Sequence, residues 1–182
     1  MFKLKNDDTA LVVVDVQEKL VKAMDEDIYA DLLANTSILV KGFNVLSAPV
    51  FATQQYTKGL GETVAELSGD IKEPAIEKAT FSCCGEPDFV EKLKANNIKN
   101  VVLTGMETHV CVLQTALDLL EAGYNVHVAA DSVCSRSDFN WEMGLGMMEK
   151  AGAVITCAET VLFQMLGKAG SPEFKEISKL IK

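Results

Sequence analysis

The sequence predicts an α/β fold in three layers, with a six-stranded, mostly parallel, doubly wound sheet of order 3-2-1-4-5-6 between helices. Three observations predict it. Short apolar runs rich in valine, such as Ala10–Val14 and Val101–Leu103, recur along the chain, as expected of strands covered on both faces. Segments with helical apolar spacing separate them, which calls for right-handed crossovers. The chain of 182 residues, 48% apolar and 24% charged, shows no linker or internal repeat, so residues 1–182 are expected to form a single domain around one core.

The first strand is Ala10–Val14, and Asp15 ends it. A helix over Asp27–Leu46 follows, burying Ile28, Leu32, Leu33, Ile38, Leu39 and Phe43. Pro49–Thr53 reads as the second strand, with proline at its first position, where a missing donor is tolerated. The stretch Gln54–Gly69 holds three glycines and little periodicity, so it reads as a long loop with one helical turn near Val64–Leu67. A short third strand at Ala75–Ile76 leads into Lys78, and Glu86-Pro87-Asp88 starts a helix that runs to Asn96. After the fourth strand, Val101–Leu103, a helix begins near Thr108 and stops at Gly123. Its apolar stripe is Val110, Leu113, Leu117 and Leu120, which leaves Cys111 on the least oily side with Gln114, Thr115 and Asp118. Asn125–Ala129 and Ala153–Thr156 are the last strands, separated by a Met-rich helix over Asp138–Lys150, and a final amphipathic helix follows Pro172.

In this order the first and fourth strands lie side by side at the switch point, where ligands sit beyond the strands' carboxyl ends. Asp15 ends one of those strands and Cys111 follows the other. A thiol in the first turn of a helix meets free N–H groups and the positive dipole end, a setting that lowers thiol pKa values. Cys111 is therefore a nucleophile candidate, although cysteine also packs well in cores. Taken singly, Asp15 reads sooner as a turn or capping carboxylate than as a catalytic group, and Lys78 as a solvated surface lysine.

The formal charge of −9, with no Lys/Arg cluster, disfavours nucleic acid and anionic membranes as partners. No apolar run approaches the length of a membrane span. The cysteines Cys83, Cys84, Cys111, Cys134 and Cys157 are odd in number and irregularly spaced, which suits a reduced, cytoplasmic protein better than a disulfide framework. The adjacent Cys83 and Cys84 read as small packing residues.

Asp15 in Val-Asp-Val-Gln, Lys78 in Glu-Lys-Ala-Thr-Phe-Ser and Cys111 in Gly-Met-Glu-Thr-His-Val-Cys-Val together resemble the three signatures of the isochorismatase-like cysteine hydrolases. The resemblance runs from about residue 8 to about residue 165 and is nearest to the isochorismatase-domain-containing branch. It implies a catalytic triad of Asp15, Lys78 and Cys111, a cis peptide at Met106–Glu107, and an oxyanion hole built from the N–H groups of Glu107 and Cys111. It also implies a homo-oligomer acting on a small-molecule substrate, with no cofactor. The expected reaction is cysteine-dependent hydrolysis of a small amide or related C–N bond through a thioester. Two alternatives stay open, namely vinyl-ether hydrolysis on the same scaffold and a catalytically idle binding protein. The nicotinamidase branch carries an Asp-x-His metal site where this chain has Thr53-Gln54-Gln55-Tyr56, and the only histidines are His109 and His127, so no metal is expected. Gln17, Tyr56 and Phe81 are the expected substrate-binding walls.

Overall fold

The structure, a computed structural model, describes residues 2–182. Six parallel strands, β1 (Thr9–Val14), β2 (Val50–Gln55), β3 (Ile76–Lys78), β4 (Asn100–Met106), β5 (Asn125–Cys134) and β6 (Val154–Thr156), form one sheet of order β3-β2-β1-β4-β5-β6. The predicted order is the observed one. Strand residues alternate faces, so β1 splits between two cores. Leu11 and Val13 pack with Leu32, Leu39 and Phe43 of α1 (Glu26–Val45), while Ala10, Val12 and Val14 face the other layer.

Between β2 and β3 lie two single helical turns, α2 (Thr57–Leu60) and α3 (Ala65–Ser68). The second layer contains α4 (Pro87–Ala95), α5 (Leu113–Glu121) and α6 (Asp138–Ala151). The first is completed by α7 (Ala158–Leu166) and α8 (Pro172–Leu180). Capping follows sequence chemistry: the Asp25 carboxylate accepts the Asp27 and Ile28 N–H groups at the start of α1, and Ser171 Oγ accepts that of Phe174 in α8.

Several boundaries depart from expectation, each for a physical reason. The helix α7 has no counterpart in the sequence reading, although Val161, Leu162 and Met165 bury a face at helical spacing. Strand β3 runs to Lys78, where the alternation buries Ile76 and Lys78 and exposes Glu77. Strand β5 continues to Cys134 because its register against β4 jumps: Leu103 pairs with Val128 and Gly105 with Val133, so residues 129–132 bulge out. In that bulge the Asp131 carboxylate accepts the Ala158 N–H at 3.0 and 3.1 Å and starts α7.

Helix α5 is preceded by a π-helical turn, Thr108–Val112. The buried face runs through Val112, Leu113, Thr115, Ala116 and Leu119, so of the expected stripe Leu113 is buried while Val110, Leu117 and Leu120 are half-buried against the same core. Cys111 lies at the edge of that buried face, on the core side of the helix and not on its polar side. The long segment after β2 is sewn to the chain after β1: Glu18 N–H donates to Glu62 O, Lys19 N–H to Leu60 O and Val64 N–H to Val16 O. Its first two residues, Gln54 and Gln55, belong to β2.

Candidate active site

Strands β1 and β4 approach most closely where the site begins. Val14 pairs with Gly105, whose φ is 107°, and a Cβ there would lie 2.0 Å from the Val14 carbonyl oxygen. Only glycine permits both the positive φ and that contact. The next residue of the first strand, Asp15, has a φ of 51°, in the left-handed region that carboxylate and amide side chains tolerate best. Its N–H donates to Thr53 O at 3.3 Å, fixing it beside β2. The side chain thereby points into protein, and the residue has 0% of its surface exposed.

Lys78 reaches Asp15 from the end of β3 and is 1% exposed. Its Nζ lies 2.7 Å from Asp15 Oδ2. It also donates to Gln55 Oε1 at 2.6 Å, to Thr80 O at 3.1 Å and to Phe81 O at 3.0 Å. Four oxygens thus surround a three-proton donor, which leaves the ammonium no spare hydrogen for a ligand. The other Asp15 oxygen, Oδ1, accepts the Thr53 hydroxyl at 2.7 Å. Cys111, 7% exposed, lies beside the same carboxylate, close enough for the two groups to influence each other's titration. The three residues expected from sequence to act together are therefore one contiguous cluster.

Burial raises the Asp15 carboxyl above the ordinary carboxylate range, an effect that Lys78, the hydrogen bond from Thr53 and the nearby Cys111 thiol only partly offset. Lys78 loses solvation on burial, but the adjacent Asp15 carboxylate more than compensates and holds its pKa above the usual lysine value. The Cys111 thiol is pushed up to about 12, by burial first and then by the Asp15 carboxylate, against the pull of Lys78. That reverses the lowered value expected at a helix start. The neighbouring negative charge and the dry setting outweigh the dipole, because a thiolate beside ionised Asp15 puts two anions against one cation. Cys83, fully buried with its thiol 3.7 Å from Thr53 Oγ1, is also pushed up to about 12 by burial.

The remaining predicted residues are placed as follows. The Met106–Glu107 peptide is cis, and the Glu107 carbonyl accepts the Val110 and Val112 N–H groups at 3.0 and 3.2 Å, seating the turn that carries Cys111. Gln17 is fully buried with its amide engaged: Nε2 donates to Gln55 O at 3.1 Å and Gly61 O at 2.7 Å, and Oε1 accepts Gln55 N–H at 2.7 Å. It braces the segment after β2 against the one after β1. Tyr56 and Phe81 are 62% and 54% exposed and flank the lysine, since Tyr56 N–H donates to Lys78 O and Phe81 O accepts from Lys78 Nζ. Gln55, which sequence reasoning left in a loop, is a direct partner of Lys78. Its only signal in the sequence is that it lies just past the predicted second strand. Among the described residues, no group of three or more His, Cys, Asp and Glu side chains is placed to hold a metal ion, and no helix is long and apolar enough to cross a membrane.

A doubly wound parallel sheet with a buried Asp–Lys–Cys cluster at its switch point defines an α/β protein of the isochorismatase-like hydrolase class. The chain belongs to the isochorismatase family, whose domain model matches residues 9–160. It is 41% identical over 180 residues to a Phytophthora sojae protein named secreted isochorismatase effector Isc1, covering 96% of this chain and 84% of that one. It is 38% identical to isochorismatase domain-containing protein 2 of Xenopus laevis, with 98% and 86% covered. The solved structure of MAR1 ribonuclease from Caenorhabditis elegans superposes with a TM-score of 0.92 at 39% identity, over 98% of this chain and 92% of that one.

Proposed function

We propose that this protein is a cysteine hydrolase of a small amide or related C–N bond, with Cys111 as nucleophile, Asp15 as proton carrier and Lys78 as a fixed cation. The observation that carries the proposal is the dry ion pair at 2.7 Å with the Cys111 thiol beside its carboxylate. A pKa of about 12 describes losing the thiol proton to water. Losing it to Asp15 is a different step. The arrangement thiol, carboxylate, ammonium and the arrangement thiolate, carboxylic acid, ammonium carry the same net charge, so the transfer buries no new charge. The raised basicity of Asp15 favours it, and Lys78 then faces the thiolate.

In the acylation step the Cys111 sulfur bonds to the substrate carbonyl carbon, and the oxyanion is held by the N–H groups of Glu107 and Cys111. The C–N bond then breaks, and the proton held by Asp15 goes to the departing amine. Water next attacks the thioester while Asp15 takes one of its protons. The S–C bond breaks, the acid leaves, and that proton returns to the sulfur. Lys78 has no free hydrogen, so it acts through its field on the thiolate and by holding the carboxylate. Tyr56 and Phe81 wall the approach for a small substrate, and Gln17 serves that wall by bracing the segment after β2.

Vinyl-ether hydrolysis would leave Cys111 without a covalent role. Cleavage of RNA, which the name of the C. elegans relative suggests, suits this chain less well, because a phosphate backbone calls for a basic footprint and the formal charge is −9. We also place the protein in the cytoplasm, on its five unpaired cysteines. The test is ammonia release from a panel of small primary amides, with mass spectrometry of the enzyme trapped during turnover. An acyl mass on Cys111 and abolished release in Cys111→Ala are expected. Turnover that survives Cys111→Ala would overturn the proposal.

A further inference from the structure

The Glu107 carboxylate takes no part in the proton relay, yet it is buried, with its side chain only 9% exposed. Its Oε2 accepts two hydrogen bonds from Arg136, one from the backbone N–H and one from Nε, each at 3.0 Å. Arg136 belongs to the junction between β5 and α6. Two further contacts tie that junction and α6 to the nucleophile turn. His109 Nδ1 lies 3.0 Å from Ser135 Oγ, and Gly144 packs so closely that a Cβ would come within 3.0 to 3.1 Å of backbone atoms of Thr108 and His109. On its other sides, Glu107 follows Met106, which pairs with Cys134, and its carbonyl seats the π turn. Burying a carboxylate costs free energy unless its bonds are charge-assisted and well aimed. Here both bonds end on one residue of the junction after β5, so the Glu107 segment is held from outside itself.

We infer that the Glu107 carboxylate is a positioning group for acyl transfer: clamped by Arg136, it fixes the direction of the Glu107 N–H toward the oxyanion. The inference rests on the proposed cysteine hydrolase reaction, in which that N–H stabilises the tetrahedral intermediate. The side chain itself touches no substrate. An aimed N–H donor contributes a rate factor on the order of 10² to 10³, and a tilt of ~10–20° is enough to waste much of it.

The test uses the full chain with p-nitrophenyl acetate as probe. The Cys111 sulfur bonds to the acetyl carbon, the C–O bond breaks, p-nitrophenolate leaves, and the thiol proton passes to Asp15. The acylation rate constant and KM come from the p-nitrophenolate burst. In parallel, carboxamidomethylation of Cys111 by iodoacetamide is timed, because displacement at an alkyl carbon forms no oxyanion. Glu107→Ala is expected to lower the acylation rate constant by about 30- to 100-fold, with KM within about twofold and alkylation within about threefold of wild type. Glu107→Gln, which still accepts from the Arg136 N–H, is expected to recover part of the loss, and Arg136→Ala to lose less than Glu107→Ala. Acylation within about twofold of wild type in Glu107→Ala would overturn the inference. So would a parallel fall of acylation and alkylation, the mark of a displaced nucleophile. Should Glu107→Ala not fold, Glu107→Gln and Arg136→Ala decide on the same two rates. A burst that persists in Cys111→Ala defeats the proposed reaction itself, whereas a burst lost in Cys111→Ala and intact in Glu107→Ala defeats only the positioning role.

Discussion

Replacing Lys78 by methionine tests whether the Asp15 pair is as dry as it looks. Both side chains have no exposed surface and their charged atoms are 2.7 Å apart. Methionine keeps much of the lysine stem, so packing loss is small, and the main consequence is a buried carboxylate without its cation. Breaking a buried pair in this way costs about 3–5 kcal/mol. With a urea slope of about 2 kcal/mol per molar, the midpoint should fall by roughly 1.5–2.5 M, read by far-UV circular dichroism or by the fluorescence of Trp141. Asp15→Asn on the same background removes the orphan charge while keeping a side chain that tolerates φ 51° and still accepts the Thr53 hydroxyl. The double variant should therefore be more stable than Lys78→Met alone at pH 7. The pH dependence follows from the raised Asp15 pKa. A folded state that holds the proton more tightly than the unfolded chain has this stabilisation in full below about pH 4, the unfolded value, and loses it as pH rises through the folded value. Without Lys78 the folded value rises further, so the deficit of Lys78→Met should shrink between pH 7 and pH 5. A midpoint shift under about 0.5 M, or a double variant no more stable than the single, would refute the argument that Asp15 is held out of water.

Two more outcomes are expected. The acylation rate should fall on an acid limb placed above the ordinary carboxylate range, because Asp15 must be ionised to take the thiol proton and burial raises its pKa. It should show no basic limb below about pH 10, since Lys78 is held above its usual value and the Cys111 thiol near 12; burst kinetics across pH 4 to 10 check both, and Asp15→Asn should remove the limb along with most of the rate. Phe139, Met143 and Met147 stand exposed at four-residue spacing on one side of α6, and such an apolar stripe is expected to be covered by a second copy of the chain. Met143→Glu should then lower the mass seen by light scattering, and a wild type that is monomeric at tens of micromolar would remove that expectation.

The order of the sheet was legible in the sequence because unbroken apolar runs rich in valine mark buried parallel strands. That Asp15, Lys78 and Cys111 come together was legible only from the three short signatures that resemble a known family, since Lys78 follows no such run. Geometry that depends on departures from ideal periods was not legible. Nothing in Thr108–Val112 announces a π turn, and the oily Val110, Leu117 and Leu120 draw the expected stripe to one side of the face that is buried, which leaves Cys111 looking polar-facing when it lies on the core side. The bulge at residues 129–132 hides the second half of β5 behind the polar pair Asp131 and Ser132. The clamp on Glu107 comes from Arg136, 29 residues away, and only the pairing of Met106 with Cys134 brings them together.

The direction of the thiol's pKa shift is the most instructive departure, because it moves the chemistry from one residue to a cluster. A helix start alone argues for a standing thiolate, reactive toward any electrophile. In the assembled site the anion already present is Asp15, and a buried ion pair of this kind adds little stability over an apolar replacement. In the proposed reaction, with Lys78 saturated by four oxygens, the cation stays in place while a single proton moves between sulfur and carboxylate. The nucleophile then forms by that proton shift and does not stand as a free thiolate. Such a site gains selectivity over a bare thiolate and resists adventitious oxidation, which scales with thiolate character. The cost is a strict demand on geometry, met by Gly105 at the strand contact, by the left-handed turn at Asp15 and by the seating of Glu107.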